Sequence, residues 1–295
     1  MPGPERLLHL IALYAHEAKH YLIALIPSAI PVCFYIFWKV GVKKAALAPA
    51  ELEELNSSAS QIGRSVFKKY WPLAILLPAA SLFFMLCDLN DDTAWRHSLA
   101  CDIIGQLNLP VQGMLVASWL SLIYKAWATS RGQNAQVAID KLIVLGFSIA
   151  FSRLLFGYAL NIGPFYTQLY LLIALYPALL LSRHDNPLAA LAQSVSYGQR
   201  HILELAVLIG RISCLFWFIQ FILGSLVAYF ANLAQFLPSR FPIDILPYSG
   251  FVLQTCGQIS SLVYDSFVLL NCLEYWQKRS EQLSLSAGTI SKQEI

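Results

Sequence analysis

Long apolar runs separated by short polar segments dominate the hydropathy pattern of this chain. An α-helix rises about 1.5 Å per residue, and about 20 mainly apolar residues are needed to cross the hydrocarbon core of a bilayer. The runs of about this length are residues 66–87, 109–127, 142–160, 165–181, 203–230 and 250–275. This pattern predicts an all-α, polytopic integral membrane protein built as one helical bundle.

A shorter apolar segment, residues 21–38, precedes these runs and contains Pro27 and Pro31. It has about the minimum length of a span, and its prolines fit either a kinked transmembrane helix or a re-entrant segment. The pattern therefore leaves six and seven spans open. We expect an N-terminal region, residues 1–60, that holds an amphipathic helix, this first membrane segment and a polar acidic linker or short helix. The bundle would follow at 61–279 and a disordered cytoplasmic tail at 280–295.

Residues 186–201 lie between two of the runs and have a different character. The part at 188–197 is too short and too polar to span a bilayer, but it places small and apolar side chains on one helical face. Asn186 followed by Pro187 is a typical helix start, with an N-cap and a proline at the first helical position. Gly198 is expected to break or bend the chain. We predict a cytoplasmic interfacial helix here, distinct from the span that follows.

Basic residues are distributed unequally between the two sides of the predicted bundle. Fourteen fall on the side that holds the C-terminal tail and four on the other side. Cytoplasmic loops carry an excess of Lys and Arg, so the tail is predicted to be cytoplasmic. With seven spans the N-terminus would then lie outside, and with six it would lie inside. The localisation expected from this pattern is a membrane that the chain crosses several times, with the C-terminus in the cytoplasm.

The composition agrees with a membrane location and restricts the classes of partner that are expected. The chain is 57% hydrophobic and 13% charged, whereas soluble proteins carry about 25% charged residues. A net charge of +3 with the basic residues in short loops does not indicate nucleic-acid binding. The expected partners are membrane lipids, together with other membrane proteins or a second copy of the chain. Cys87 and Cys101 flank one polar loop, where an extracytoplasmic location would permit a disulfide.

The N-terminal segment His16-Glu17-Ala18-Lys19-His20 matches the H-E-x-x-H pattern. On a helix, His16 and His20 share one face and can bind Zn²⁺, while Glu17 polarises a bound water. However, Lys19 is charged where zinc-peptidase helices favour uncharged residues, and no motif supplies a clear third ligand. The same residues fit the polar face of an interfacial helix. We therefore predict no metal and no cofactor, with a site at His16, Glu17 and His20 as the alternative.

Three ionisable residues, Arg153, Arg211 and Asp265, fall inside predicted spans. A charge at the bilayer centre costs at least about 2.5–3.5 kcal/mol, so such residues face the bundle interior and pair with one another. Gln258 and Tyr264 extend a polar stripe on the helix that carries Asp265. These five residues form a candidate intramembrane polar site. The alternative is a structural ion pair that fixes helix register, with Arg211 reaching the interface.

Several motifs on the predicted cytoplasmic side resemble a known family. They are Ala190, Leu191, Ser194, Tyr197, Gly198 and Gln199 before the penultimate span, Arg131, Gly132 and Ala138 in a short loop, and Glu274, Tyr275 and Arg279 at the end of the last span. Together they resemble the YciC-like bacterial inner-membrane family, related to the membrane domain fused to glycerophosphoryl diester phosphodiesterases. Gln199 stands where that family usually has Asn. The resemblance covers residues 61–279 and implies no catalytic residues.

These observations predict a non-enzymatic bacterial inner-membrane protein that engages lipid or other membrane proteins. A transporter or permease is the first alternative and would require solvent access to Arg153 and Asp265. A membrane zinc metallopeptidase that uses His16, Glu17 and His20 is the second.

Overall fold

The computed structural model describes residues 49–88, 99–158, 171–183, 186–234 and 245–293. In these ranges the regular structure is helical throughout, which confirms the all-α prediction. The helices are α1 Pro49–Asp88, α2 Leu99–Ser130, α3 Ile139–Tyr158, α4 Tyr176–Ser182, α5 Pro187–Arg200, α6 Ile202–Ala234 and α7 Ile245–Gln293.

Membrane-spanning potential is clearest in α2. Among the described residues, Gln106–Ser130 is the one helical segment long and apolar enough to cross a membrane, with a mean hydropathy of 1.3. Leu171–Ser182 is apolar but shorter. A turn at Ala174 and Leu175 interrupts it before α4 begins.

Two predicted boundaries differ from the structure. The acidic stretch before residue 61 belongs to α1, and its Leu55 and Ala59 are buried in the core. Their spacing of four residues puts both on one helical face, so the bundle begins before the expected boundary. At the other end, α7 continues to Gln293, so helix occupies most of the region where a disordered tail was expected.

The helix start predicted at Asn186 and Pro187 is confirmed. The Asn186 side chain accepts a hydrogen bond from the Leu188 backbone N–H at 2.9 Å, and Pro187 occupies the first turn of α5. The helix is distinct from α6, as predicted, and the break lies at the end of the 198–201 segment that was expected to separate the two helices. Gly198 is helical and buried, and the chain leaves helical geometry at His201, with φ −123° and ψ 28°.

The role of Gly198 is close packing. A Cβ at this position would lie 2.8 Å from Leu172 Cα and 2.9 Å from its carbonyl oxygen. Ser194 and Ala190, four and eight residues earlier on the same face, are also buried, and the Ser194 hydroxyl donates to the Leu172 carbonyl at 2.9 Å. Small residues on one face thus let α5 approach the 171–182 segment closely.

Helix α7 is the centre of the bundle and packs against α1, α2, α4 and α6. Two indole groups on α2 fix its register against α7: Trp119 Nε1 donates to Ser266 Oγ at 2.8 Å, and Trp127 Nε1 donates to Glu274 Oε1 at 2.9 Å. Both pairs are 147 positions apart in the sequence, so the two helices run parallel.

The neighbours α1 and α6 run antiparallel to α7. Ser58 near the start of α1 contacts Glu274, whereas Gly63 one to two turns later faces Phe267. On the other side, Glu204 near the start of α6 contacts Tyr275, and Ser213 further along contacts Tyr264. The start of α1, the end of α2, the start of α6 and the 274–279 part of α7 therefore meet at one end of the bundle, here called the network end.

The outer faces of two helices are apolar. On α3, Ile139, Ile143, Phe147 and Phe151 recur every four residues and are all exposed. On α6, the exposed side chains are Leu215, Phe218, Ile222 and Leu226. Several polar side chains lie inside the bundle instead, among them Ser121, Ser213, Ser266, Asn271 and Glu274.

Candidate functional site

The network end contains a buried carboxylate on α7. The Glu274 side chain is 3% exposed. Its Oε1 accepts hydrogen bonds from Trp127 Nε1 at 2.9 Å and from Ser58 Oγ at 3.0 Å, and Arg131 donates to its Oε2. Glu274 therefore ties α1, α2 and the loop after α2 to α7. Its charge is balanced by the Arg131 guanidinium, as burial of a carboxylate requires.

The end of α2 places Arg131 for this contact. Gly132 has a left-handed φ of +70°, a conformation that glycine adopts without steric cost. Its N–H bonds to the Thr129 carbonyl at 3.0 Å, and the Gln133 N–H bonds to the Ala128 carbonyl at 2.9 Å. These two bonds form a Schellman motif that ends the helix. The chain therefore turns immediately after Arg131, which remains beside α7.

A second ion pair lies one turn further along α7. Lys278 Nζ is 2.6 Å from Glu54 Oε2 on α1. A cavity of about 160 Å³ is lined by the residues of both ion pairs. Its lining residues are Glu54, Leu55, Ser58, Arg131, Glu274, Gln277 and Lys278.

A separate network connects α7 to α6. Glu204 Oε2 accepts from the Tyr275 hydroxyl and from Arg279 Nη2, the latter at 3.0 Å. His201 Nδ1 lies 3.4 Å from Glu204 Oε1. Because Glu274 and Tyr275 are adjacent in sequence but point to different neighbours, α7 joins the α1–α2 side and the α6 side of the bundle at one level.

Aromatic contacts bring α5 into the same region. The Tyr197 hydroxyl lies 3.2 Å from the Tyr275 hydroxyl. The Tyr197 ring stacks on His201 with centroids 4.2 Å apart and packs edge-on against Trp276 at 5.1 Å. Tyr197 thus packs the C-terminal half of α5 against α7. The side of α5 that carries Tyr197 is adjacent to the side that carries the buried small residues of α5.

Two charged groups at this end, Glu54 and Arg279, are held in their ionised forms by their neighbours. The hydrogen bond from Lys278, followed by the charge of its ammonium, lowers the pKa of the Glu54 carboxyl. Burial alone would lower the pKa of the Arg279 guanidinium, but its hydrogen bond with Tyr275 and the charge of Glu204 raise it overall. The region therefore presents fixed positive and negative groups side by side at neutral pH.

The structure describes part of the site predicted within the spans. Tyr264 lies between α7 and α6, with its hydroxyl 3.1 Å from Ser213 Oγ and its ring stacked on Phe216 at 4.4 Å. Gln258 and Asp265 are half-buried on α7. The side chains of Arg153 and Arg211 lie outside the described residues.

The remaining sequence candidates fall in the undescribed parts. His16, Glu17 and His20 precede the first described residue, and the side chains of Cys87 and Cys101 are also outside the description. Within the part of the chain that the structure does describe, no three His, Cys, Asp or Glu side chains lie close enough to hold a metal ion.

Coupling between Arg153 and Asp265 stays a prediction. Arg153 is on α3, which packs against α2 and the α4 segment, while Asp265 is on α7. If the two charges pair, replacing either one with leucine strands the other, so each single variant will be less stable than the double variant. Thermal unfolding of Arg153→Leu, Asp265→Leu and the double variant in detergent measures the coupling. Strictly additive losses would mean that the two residues do not interact.

The network at Glu274 was not identified as a site from the sequence. Four of its residues were noted in the sequence only because of the family resemblance, namely Arg131, Tyr197, Tyr275 and Arg279. Glu204 was not noted. The signal available was the acidic residue at the polar end of an apolar run, but nothing in the local pattern identifies partners such as Ser58, which is 216 positions away.

No protein-family model, curated protein or solved structure matches this chain.

Proposed function

We propose that the chain is a non-enzymatic, multi-pass protein of the bacterial inner membrane that engages lipid or other membrane proteins. The observation that carries this proposal is the set of exposed apolar residues on the outer faces of α3 and α6. Phe147, Phe151 and Leu215 are each at least 60% exposed. Soluble monomers rarely expose continuous apolar faces of this kind, whereas lipid tails cover them without cost.

The interior of the bundle supports the same proposal. Trp119 and Trp127 donate to Ser266 and Glu274 inside the helix packing, and small residues allow α5 to approach its neighbours closely. Polar contacts and small residues at helix interfaces are typical of membrane bundles, in which association cannot rely on the hydrophobic effect. The carboxylates of Glu274 and Glu204 are engaged in contacts between helices, which favours a binding or scaffolding role over catalysis.

We include kinship with the YciC-like family in the proposal. Its support is spatial: the residues that carry the resemblance belong to three distant segments, and some residues of each segment meet at the network end. Arg131 contacts Glu274, and Tyr197, Tyr275 and Arg279 share the second network.

Alkaline extraction tests the membrane proposal. Cell membranes that contain the full chain are washed with sodium carbonate at high pH, and the chain is expected to remain in the pellet because its apolar faces are immersed in lipid. Native mass spectrometry of the detergent-purified protein should then show retained phospholipid. Release into the carbonate supernatant would contradict the proposal.

Orientation gives a separate prediction. The network end gathers Arg131, Arg200, Lys278 and Arg279, which supports placing it on the cytoplasmic side. A reporter enzyme that is active only outside the cytoplasm should therefore be inactive when fused after Ile295. The same reporter inserted in the segment 235–244, between α6 and α7, should be active. The reverse pair of results would overturn the orientation.

A further inference from the structure

The cavity between α1, α2 and α7 carries charges of both signs. Glu54 and Glu274 supply two carboxylates, and Arg131 and Lys278 supply two cations. A formally neutral lining of this kind disfavours a simple anion or cation, because either one would face two like charges. It is complementary to a ligand that itself carries one positive and one negative group.

The charged side chains at the rim of the cavity are partly exposed to solvent and can form further hydrogen bonds. The Arg131 side chain is 37% exposed, Lys278 29% and Glu54 69%. A guanidinium has five N–H donors and an ammonium three, so each cation has more donors than its present carboxylate partner uses. Glu274 is different, because it is buried and held by Ser58 and Trp127. It therefore forms the floor of the cavity.

The exposed Lys278–Glu54 pair is the part that can open. Ion pairs between solvent-exposed side chains contribute little net stability. A ligand that brings an anion to Lys278 and a cation to Glu54 replaces this contact with two. The 2.6 Å separation of Nζ and Oε2 shows that both groups reach the same point at the cavity rim.

The depth of the cavity suggests the source of such a ligand. The apolar segment Gln106–Ser130 ends one residue before Arg131. If the chain lies in a bilayer as proposed above, the cavity sits at the level of the lipid headgroups. Its volume of about 160 Å³ is roughly that of five water molecules in the liquid, enough for a small polar group but not for acyl chains.

We propose that this cavity binds a phosphate joined to a primary ammonium, as found in the headgroup of phosphatidylethanolamine and in free phosphoethanolamine. The phosphate contacts Arg131 and Lys278, and the ammonium donates to Glu54. A trimethylammonium group lacks N–H donors and a glycerol headgroup lacks the positive charge, so phosphatidylcholine and phosphatidylglycerol bind more weakly. The location of the cavity at the level of the lipid headgroups rests on the proposed function. The pattern of charges in the cavity does not depend on it.

Native mass spectrometry of the detergent-purified full chain tests the proposal. The protein is titrated with phosphatidylethanolamine, phosphatidylcholine and phosphatidylglycerol of identical acyl chains. We expect phosphatidylethanolamine to bind about tenfold more tightly than the other two, the effect of one charge-assisted hydrogen bond. Lys278→Gln and Glu54→Gln should each remove this preference. The matched controls Lys68→Gln and Glu53→Gln, at exposed positions outside the cavity, should retain it.

Free phosphoethanolamine distinguishes the two sources. If it competes with the lipid at similar concentration, the soluble molecule is a ligand in its own right, and if only the lipid binds, the source is the membrane. Either result supports recognition of a phosphate joined to a primary ammonium, provided that Lys278→Gln abolishes the binding preference. Equal binding of all three lipids without any effect of free phosphoethanolamine would overturn the proposal. The carbonate extraction is independent of these titrations, so failure of the membrane proposal would be recognised separately.

Discussion

Replacing Arg131 with leucine will lower the free energy of unfolding by about 3 kcal/mol, because the substitution strands a buried negative charge. Glu274 is 3% exposed, and Arg131 is the cation that contacts its carboxylate. Trp127 and Ser58 continue to donate to Glu274, but neutral donors do not balance its charge. The expected loss is at the lower end of the range for breaking a buried pair, since Arg131 itself is partly exposed. Denaturation in mixed detergent micelles measures it.

A second substitution separates charge from packing. Glu274→Gln keeps a carbonyl oxygen for Trp127 and Ser58 and removes the negative charge. The double variant Arg131→Leu/Glu274→Gln should therefore recover most of the stability lost in Arg131→Leu. Arg64→Leu, at an exposed position on α1, serves as the control and should change stability by less than about 0.5 kcal/mol. If Arg131→Leu matches Arg64→Leu, or if Glu274→Gln adds to the loss, the pair does not stabilise the network end.

The hydropathy pattern predicted the helices well because their main determinant is local. Apolar run length places α1, α2, α3, α6 and α7, and the Asn186–Pro187 pair marks the start of α5 correctly. Charge patterning was less reliable at the start of α1. The acidic residues around Leu55 left a linker and a short helix open, and they belong to a helix in which Leu55 and Ala59 share a face that packs in the core.

The structural role of one glycine, Gly198, differs from the role expected from the sequence. Gly198 was expected to break or bend the chain, and glycine does have a low helix propensity of its own. Tertiary packing outweighs that propensity here, since any side chain at this position would collide with the Leu172 backbone. A sequence shows that a residue is small, but not whether another backbone passes beside it.

The candidate site depends on contacts that no local pattern contains. Glu274 and Tyr275 are adjacent, yet one bonds to Trp127 and Arg131 and the other to Glu204. Which partner each residue meets follows from the parallel register of α2 and α7 and the antiparallel register of α6. Register between helices far apart in the chain is set by side-chain packing over the whole interface, so sequence spacing identified the residues without assembling them.

The crossing of α2 and α3 depends on two glycines that face each other. A Cβ at Gly113 would lie 2.3 Å from the Gly146 carbonyl oxygen, a backbone atom that cannot move without the helix. A Cβ at Gly146 would lie 2.4 Å from Met114 Sδ, the far part of a flexible side chain. Replacing glycine with alanine is therefore expected to destabilise the contact between α2 and α3 more at Gly113 than at Gly146.

Gly113→Ala will lower the free energy of unfolding by about 2–3 kcal/mol, because α2 and α3 must separate to admit the methyl group. Gly146→Ala will cost about 1 kcal/mol, since Met114 can turn aside. Gly63→Ala on α1 is the matched control: its Cβ would meet the Phe267 side chain at 3.7 Å, an ordinary contact. It should be neutral or stabilising by up to about 1 kcal/mol through the higher helix propensity of alanine.

Met114→Ala distinguishes the two clashes. Added to Gly146→Ala, it removes the sulfur that the new methyl group meets at 2.4 Å and leaves only the tight contact with the Met114 Cα at 3.2 Å, so most of the loss due to Gly146→Ala should disappear in the double variant. Added to Gly113→Ala, it leaves the backbone clash in place, and the two losses should add. Unfolding measured in the same mixed micelles gives the free energies of all these variants on one scale. Equal effects of Gly113→Ala and Gly63→Ala would show that α2 and α3 do not cross at Gly113 and Gly146.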